Sequence, residues 1–230
     1  MPLPDKTCGM EEAISRIVDG ATVMVGGFGV PGTPFSLIRE LVRQGQKDLV
    51  IVKNDANEVG MGVDWLLANG QVRKLIASHI GLNGNAVSMM NSGKIEVEFV
   101  PQGLLAERIR AAGAGLLGVV SDIVLDAPSA SGKTTVMVDG MRGILEPAIR
   151  ADFALVHAER SDRFGNLCFA ASARNFNPLV CMAARHTIVE AETILPVGAI
   201  APETVHTPGP FVDAVVAIPE LLGVYGVVER

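Results

Sequence analysis

Short runs of Val, Ile, Leu and Met recur along this chain, with helix-period stretches between them. The runs sit in DGATVMVGGF, DLVIVKND, RKLIASHIG, ADFALVHAERSD, HTIVEAE and VDAVVAI. Each is apolar on successive residues, so both faces of the strand need cover, which a sheet buried on both sides supplies. The intervening stretches Met10 to Val18, Phe35 to Gln44, WLLANG, Ala86 to Ser92, LLAERIRAAGAG and NPLVCMAARH carry apolar residues at helical spacing. Strand–helix alternation of this kind predicts an α/β fold, an open, mostly parallel sheet with helices on both faces. KIEVEFVPQG alternates cleanly, and RFGNLCF reads as a strand returning after a turn. Leu116 to Gly143 is rich in turn residues and reads as a loop followed by a hairpin. No fixed repeat or linker divides the text, so a single domain over residues 1–230 is expected.

Composition narrows the function classes. Hydrophobic residues make up 49% and aromatic ones 4%, the Val/Ile/Leu/Ala/Gly mix of a buried parallel sheet. The net charge of −6, with no run of Lys or Arg, argues against a nucleic-acid binder. Cys8, Cys168 and Cys181 form no CxxC or CxxH pairing, so no metal is expected, and the latter two read as reduced core residues. MPLPDKTCGMEEA lacks a basic and an apolar signal region, and no apolar run approaches a membrane span. A soluble, cytoplasmic protein is expected.

The glycines of VMVGGFGVPGTP pose the functional question. Gly27, Gly29 and Gly32 satisfy GxGxxG between a strand and a helix, the dinucleotide fingerprint, and Asp55 ends the next strand as a ribose-binding acid would. Pro31 removes an N–H inside the turn, and Thr33-Pro34 restarts the helix after the third glycine, with Thr as a cap. That weakens the NAD-dehydrogenase reading. What survives is bare backbone at a sheet's carboxyl end beside a helix N-terminus, which suits an anionic ligand. Asn54-Asp55, Ser78-His79 and Pro101-Gln102-Gly103 put polar groups on the same edge. Each alone is an ordinary turn or capping feature, and together they predict a pocket.

APSASGKTT resembles a phosphate loop but has Ala127 where Gly is needed, and TVMVDG follows as a strand instead of a helix. No GxSxG elbow, HExxH or supported Cys/His pair is present. Glu58 and Glu107 are the nearby carboxylates, and Glu107 inside AERIR reads as a helical ion pair. The sequence describes a site without its nucleophile.

DGATVMVGGFGVPGTP resembles the A-subunit signature of the family I coenzyme A transferases. The resemblance continues in order through KNDANEVGMG, VRKLIASHIGLN, VPQGLLAERIRAAGAG, EPAIRADFALVHAERSDRFGNL, ARNFNPLVCMAA and HTPGPFVD. It is nearest the alpha subunit of the acetate/acetoacetate (3-oxoacid) type. The succinyl-CoA:3-oxoacid and 3-oxoadipate types usually carry Asn-Asn in place of Asn54-Asp55. The chain departs from the family at GVVSDIVLDAPSASGKT, where a TPTGVGT-like turn is usual, which bears on substrate identity.

The resemblance implies a two-chain enzyme, a dimer of alpha–beta dimers, moving CoA between short-chain acids such as acetate, acetoacetate and butyrate. The nucleophilic glutamate would lie on the beta chain and carry a glutamyl-CoA thioester, leaving no catalytic residue in this chain. Gly26, Gly27, Phe28, Gly29, Val30, Pro31 and Gly32 would contact coenzyme A or acyl-CoA. Asn54, Asp55, His79, Gln102 and Gly103 would line the carboxylate side. An ionised Asp55 would repel an acid, so it is protonated, paired or turned away. The alpha subunit of a succinyl-CoA:3-oxoacid or 3-oxoadipate CoA-transferase, a non-catalytic small-molecule-binding module or sensor on the same fold, and a subunit of altered specificity are the competing readings.

Overall fold

The computed structural model describes residues 3–123, 125, 131–218 and 220–227. Strands β1 (Thr22–Val25), β2 (Leu49–Val52), β3 (Val72–Ala77), β4 (Glu96–Phe99), β8 (Ala151–Asp162), β10 (Ala184–Leu195) and β11 (Ala214–Ala217) form one parallel sheet. Their order is β11-β10-β8-β1-β2-β3-β4, and β9 (Leu167–Cys168) adds an antiparallel turn-back on β8. The order reverses direction between β1 and β8, which makes that boundary the topological switch point. A second, three-stranded antiparallel sheet runs β5-β7-β6 from β5 (Gly118–Ser121), β6 (Thr135–Val138) and β7 (Met141–Pro147).

The helices explain why the strands are apolar throughout. Val23, Val25, Ile51 and Leu75 face one core, shared with α1 (Met10–Ile14), α2 (Phe35–Gln44), α3 (Val63–Ala68) and α4 (Gly84–Asn91). Met24, Val52 and Ile76 face the other, shared with α5 (Gln102–Gly113) and α6 (Asn177–Ala183). Successive side chains along each strand thus enter opposite cores. In α2 the fully buried Phe35, Leu37, Ile38 and Leu41 lie on one stripe, each worth roughly 1.5–3 kcal/mol of burial. The helix ends at Gly45, in the left-handed region at φ 78°, whose N–H reaches the Leu41 carbonyl at 3.1 Å. At the sheet edge, Lys74 on β3 pairs with Glu96 at 2.8 Å and Glu98 at 2.9 Å on β4, and this charge guards an open strand.

Three sequence expectations need correction. Thr33 does not cap α2: its hydroxyl donates to the Gly29 carbonyl at 2.6 Å, and α2 has no side-chain cap from its own N-cap residue Pro34. The helix expected over 177–186 stops at Ala183, because residues 184–186 already pair with β8 as the start of β10. The first part of 116–143, read as loop, contains β5, whose pairing with β7 a local reading misses. The end of the phosphate-loop look-alike, at residues 134–135, leads into β6 without a helix, while its residues 127–130 fall outside the described ones. No helix among the described residues is long and apolar enough to cross a membrane.

Candidate functional site

β1 delivers the glycine loop to the switch point. The Gly26 N–H still pairs with Leu155 of β8 at 2.9 Å, and the chain then turns away from the sheet. Gly26 and Gly32 are there for contact: a Cβ at either would fall 1.8 Å from Asn177 Oδ1 or 2.4 Å from Asn177 Nδ2. Gly29 is different, since a Cβ there meets nothing within 4 Å and only its φ of 58° asks for glycine.

Side chains clamp the loop from two sides. Asp55 Oδ2 accepts the Gly29 N–H at 2.9 Å, and Asn57 Nδ2 donates to the Gly29 carbonyl at 2.8 Å. Opposite, Asn175 Nδ2 donates to the Pro31 carbonyl at 3.0 Å and Asn177 Nδ2 to the Gly32 carbonyl at 3.1 Å. Internal bonds from Phe28 N to Pro31 O and from Thr33 N to Val30 O, both 3.1 Å, close the turn. The N–H groups of Gly27, Val30 and Gly32 donate to no other described residue. They are the loop's uncommitted donors; Val30 is partly exposed, whereas Gly27 and Gly32 are buried.

Asp55 is paired. Lys53, fully buried, donates to Oδ1 at 3.0 Å, and the Asn57 N–H reaches the same oxygen at 2.9 Å. Asn54 Nδ2 contacts Oδ2 at 3.3 Å. Burial pushes the Asp55 carboxyl up, but Lys53 and the Gly29 and Asn57 N–H groups outweigh it and hold it below the ordinary value. Burial in turn pulls the Lys53 ammonium down, and Asp55 opposes this. With all four donors on its two oxygens, Asp55 holds the loop and has no oxygen free for a ribose.

Two cavities flank the loop. One, of about 80 Å³, is walled by Phe28, Gly29, Val30, Asp55, His79 and Ile80 among others. Of the expected loop and strand-end residues, Phe28, Gly29, Val30, Asp55 and His79 meet there. His79 Nδ1 lies 2.9 Å from Ser78 Oγ, whose single proton has its shortest contact at the Asn54 carbonyl, 2.7 Å away. On that assignment Nδ1 donates to the Ser78 hydroxyl oxygen. Asn54 is buried and lines neither cavity; it reaches the site only through Ser78 and Asp55. Gln102 and Gly103 form the exposed first turn of α5, outside both cavities. Glu58 lines the first cavity, and Glu107 is tied up with Arg110 at 2.8 Å.

The second cavity, of about 300 Å³, opens on the loop's other side, against Pro31, Gly32, His157, Glu192 and Tyr225. Ala171, at φ 41°, is also in its wall. His157 Nδ1 contacts Glu190 Oε1 at 2.8 Å and Nε2 contacts Glu192 Oε1 at 3.0 Å. Burial lowers the imidazole pKa, and the two carboxylates more than reverse it, so His157 titrates above its ordinary value. Sequence reading missed this cluster and the clamping Asn57, Asn175 and Asn177. A signal existed: His157 follows Phe153 and Leu155 on the face of β8 turned to α2, and Glu190 follows Ile188 on the matching face of β10. Charged residues at core-facing positions of apolar strands mark such a cluster.

The sequence profile of the family Coenzyme A transferase matches residues 8–217. The chain is 46% identical over 212 residues to the protein named "Probable coenzyme A transferase subunit alpha" of Bacillus subtilis (strain 168), covering 92% of this chain and 93% of that one. It is 42% identical to the acetate CoA-transferase subunit alpha of Escherichia coli (strain K12), over 94% of this chain and 98% of the relative. Its fold matches an acyl-CoA transferase of E. coli O157:H7, solved as a thioester complex with CoA, with a TM-score of 0.86 at 23% identity. That match covers 99% of this chain and 49% of the longer one, so this chain spans about half of it.

Proposed function

The chain belongs to the coenzyme A transferase family, and from that premise we propose that it is the alpha subunit of a two-chain enzyme that moves CoA between short-chain carboxylic or 3-oxo acids. Acetate, acetoacetate and butyrate are the proposed acids, and a dimer of alpha–beta dimers the proposed assembly. The observation that carries the reading is the clamped loop at the switch point, with the Val30 N–H left uncommitted beside a small cavity.

The chemistry is acyl exchange. A glutamate carboxylate on the beta chain attacks the acyl-CoA carbonyl and displaces the CoA thiolate, giving an acyl-glutamyl anhydride. The thiolate then attacks the glutamyl carbonyl, the first acid leaves as its carboxylate, and CoA is held as a thioester on that glutamate. A second acid reverses the sequence and carries CoA away. Each attack places negative charge on a carbonyl oxygen. Of the uncommitted loop donors, the Val30 N–H belongs to the wall of the first cavity and is the one proposed to meet such charge, without reorganising, because Asp55, Asn57, Asn175 and Asn177 fix the turn. Phe28, 41% exposed, offers an apolar face to the acyl-CoA, with Gly26 and Pro31 completing the turn. His79 is the polar group proposed to meet the acid in the first cavity, whose small size and apolar wall of Phe28, Val30 and Ile80 favour short acids. Gln102 and Gly103 would present the N-terminus of α5 to a carboxylate from the rim. Asn54 and Asp55 serve by positioning and do not touch the acid. We propose one domain for the whole chain.

Co-expression with a beta chain and an exchange assay from acetyl-CoA and succinyl-CoA to acetoacetate, butyrate and 3-oxoadipate tests the reading. Exchange by the complex alone, fastest with the monocarboxylic acids, is the expected result. Preference for 3-oxoadipate would move the assignment to the dicarboxylic type, and full activity of the isolated chain would overturn it.

A further inference from the structure

Helix α2 follows the loop directly, yet it lacks the local cap that would fix its start. Two of its first N–H groups are met by side chains from distant parts of the chain. Leu37 N donates to Glu190 Oε2 at 2.8 Å, and Phe35 N to the Tyr225 hydroxyl at 3.2 Å. The same hydroxyl lies between two acceptors, Glu190 Oε1 at 2.9 Å and the carbonyl of Thr33, the last residue of the clamped turn, and its single proton is shared between them. His157 holds Glu190 Oε1 from below, its register partner on β8. Glu190, His157 and Tyr225 are all buried, and the Tyr225 ring packs edge-on against Phe35 with centroids 4.8 Å apart.

We propose that Glu190, braced by His157 and Tyr225, is a positioning residue for acyl-CoA: it caps α2 from a distance and thereby sets the glycine loop. This deepens the proposed function and rests on it. The geometry gives the network a reason beyond packing. A carboxylate at a helix N-terminus complements the dipole and satisfies an orphan donor. Placing it on β10 instead of at residue 33 or 34 leaves Thr33 free to close the turn onto Gly29. The loop is then fixed at Gly29 by Asp55, at Gly32 by Asn177 and at Thr33 by Tyr225. Removing the last anchor frees the downstream end and leaves the other two in place. The second cavity runs along this anchor, with Pro31 and Gly32 on one side and His157 and Tyr225 on the other, so the loop has room to move once released.

The test uses the alpha–beta complex with CoA as the probe. Glu190→Gln keeps the shape but sets an amide against two donors, and Tyr225→Phe removes only the hydroxyl. Both should weaken CoA binding by calorimetry, and raise KM for acetyl-CoA, about tenfold or more. kcat should change by less than about threefold. The double variant should be no worse than the poorer single one, because both act through one anchor. Unchanged CoA affinity in Tyr225→Phe, with only a lower Tm, would overturn the inference and leave the functional reading intact. Should Glu190→Gln fail to assemble, Tyr225→Phe decides alone. A wild-type complex that binds no CoA would overturn the functional reading, and this inference with it.

Discussion

At the scale of single residues, the buried Lys53–Asp55 pair is the most consequential feature of the site. Deleting one partner strands a charge in a dry environment, which costs about 3–5 kcal/mol, whereas replacing both by neutral residues of similar size costs far less. Lys53→Met and Asp55→Asn should each lower stability in urea by that order, and the double variant should recover most of it. Equal losses in the double would show that the pair is not coupled. His157 gives a second, pH-dependent expectation. Its folded pKa lies above the ordinary value of 6.5, so its stabilisation is complete below that pH and fades as pH rises through the folded value. The Tm difference between wild type and His157→Gln should therefore shrink from about pH 6 to about pH 9. Parallel curves would contradict the ion-paired imidazolium. Asp55 was legible as a strand-end acid, but its partner was not. Lys53 precedes it by two residues, a spacing on which side chains of one strand share a face, and nothing in the text says that the chain will bury both.

The element scale is where local and distant sequence separate. α2 was readable to the residue at both ends, because Pro34 and Gly45 punctuate it. Its cap was not, since Glu190 and Tyr225 lie far along the chain and come near only when β10 pairs with β8. The boundary of α6 was misread for the same reason, as strand pairing overrode helical spacing. The glycine loop was legible in its role at the sheet edge, and its glycines are not equivalent. Gly29→Ala meets no neighbour and only pays for a left-handed backbone, roughly 1–2 kcal/mol. Gly32→Ala adds a clash with Asn177 and the Ala173 carbonyl at 2.6 Å. Gly32→Ala should therefore lower stability and CoA affinity clearly more than Gly29→Ala, by thermal melts and calorimetry on the complex. The reverse order would mean that the clamp by Asn177 is not what shapes the turn.

For the whole molecule, the apolar-throughout strands foretold a sheet between two helical layers, and the two cores on its faces are that arrangement. What the text could not give is which strands adjoin. The switch point between β1 and β8 joins strands far apart in sequence, and it is this long-range pairing that brings the glycine loop, the Asn175–Asn177 segment and the His157 cluster together. The nucleophile was legible only as an absence, and we propose that it lies on the beta chain. That division is the central claim, and intact-mass analysis of the complex after incubation with acetyl-CoA tests it most directly. A CoA-sized adduct on the beta chain, discharged by adding acetoacetate, with this chain unmodified, is the predicted result. An adduct on this chain, or exchange without one on either, would contradict the account.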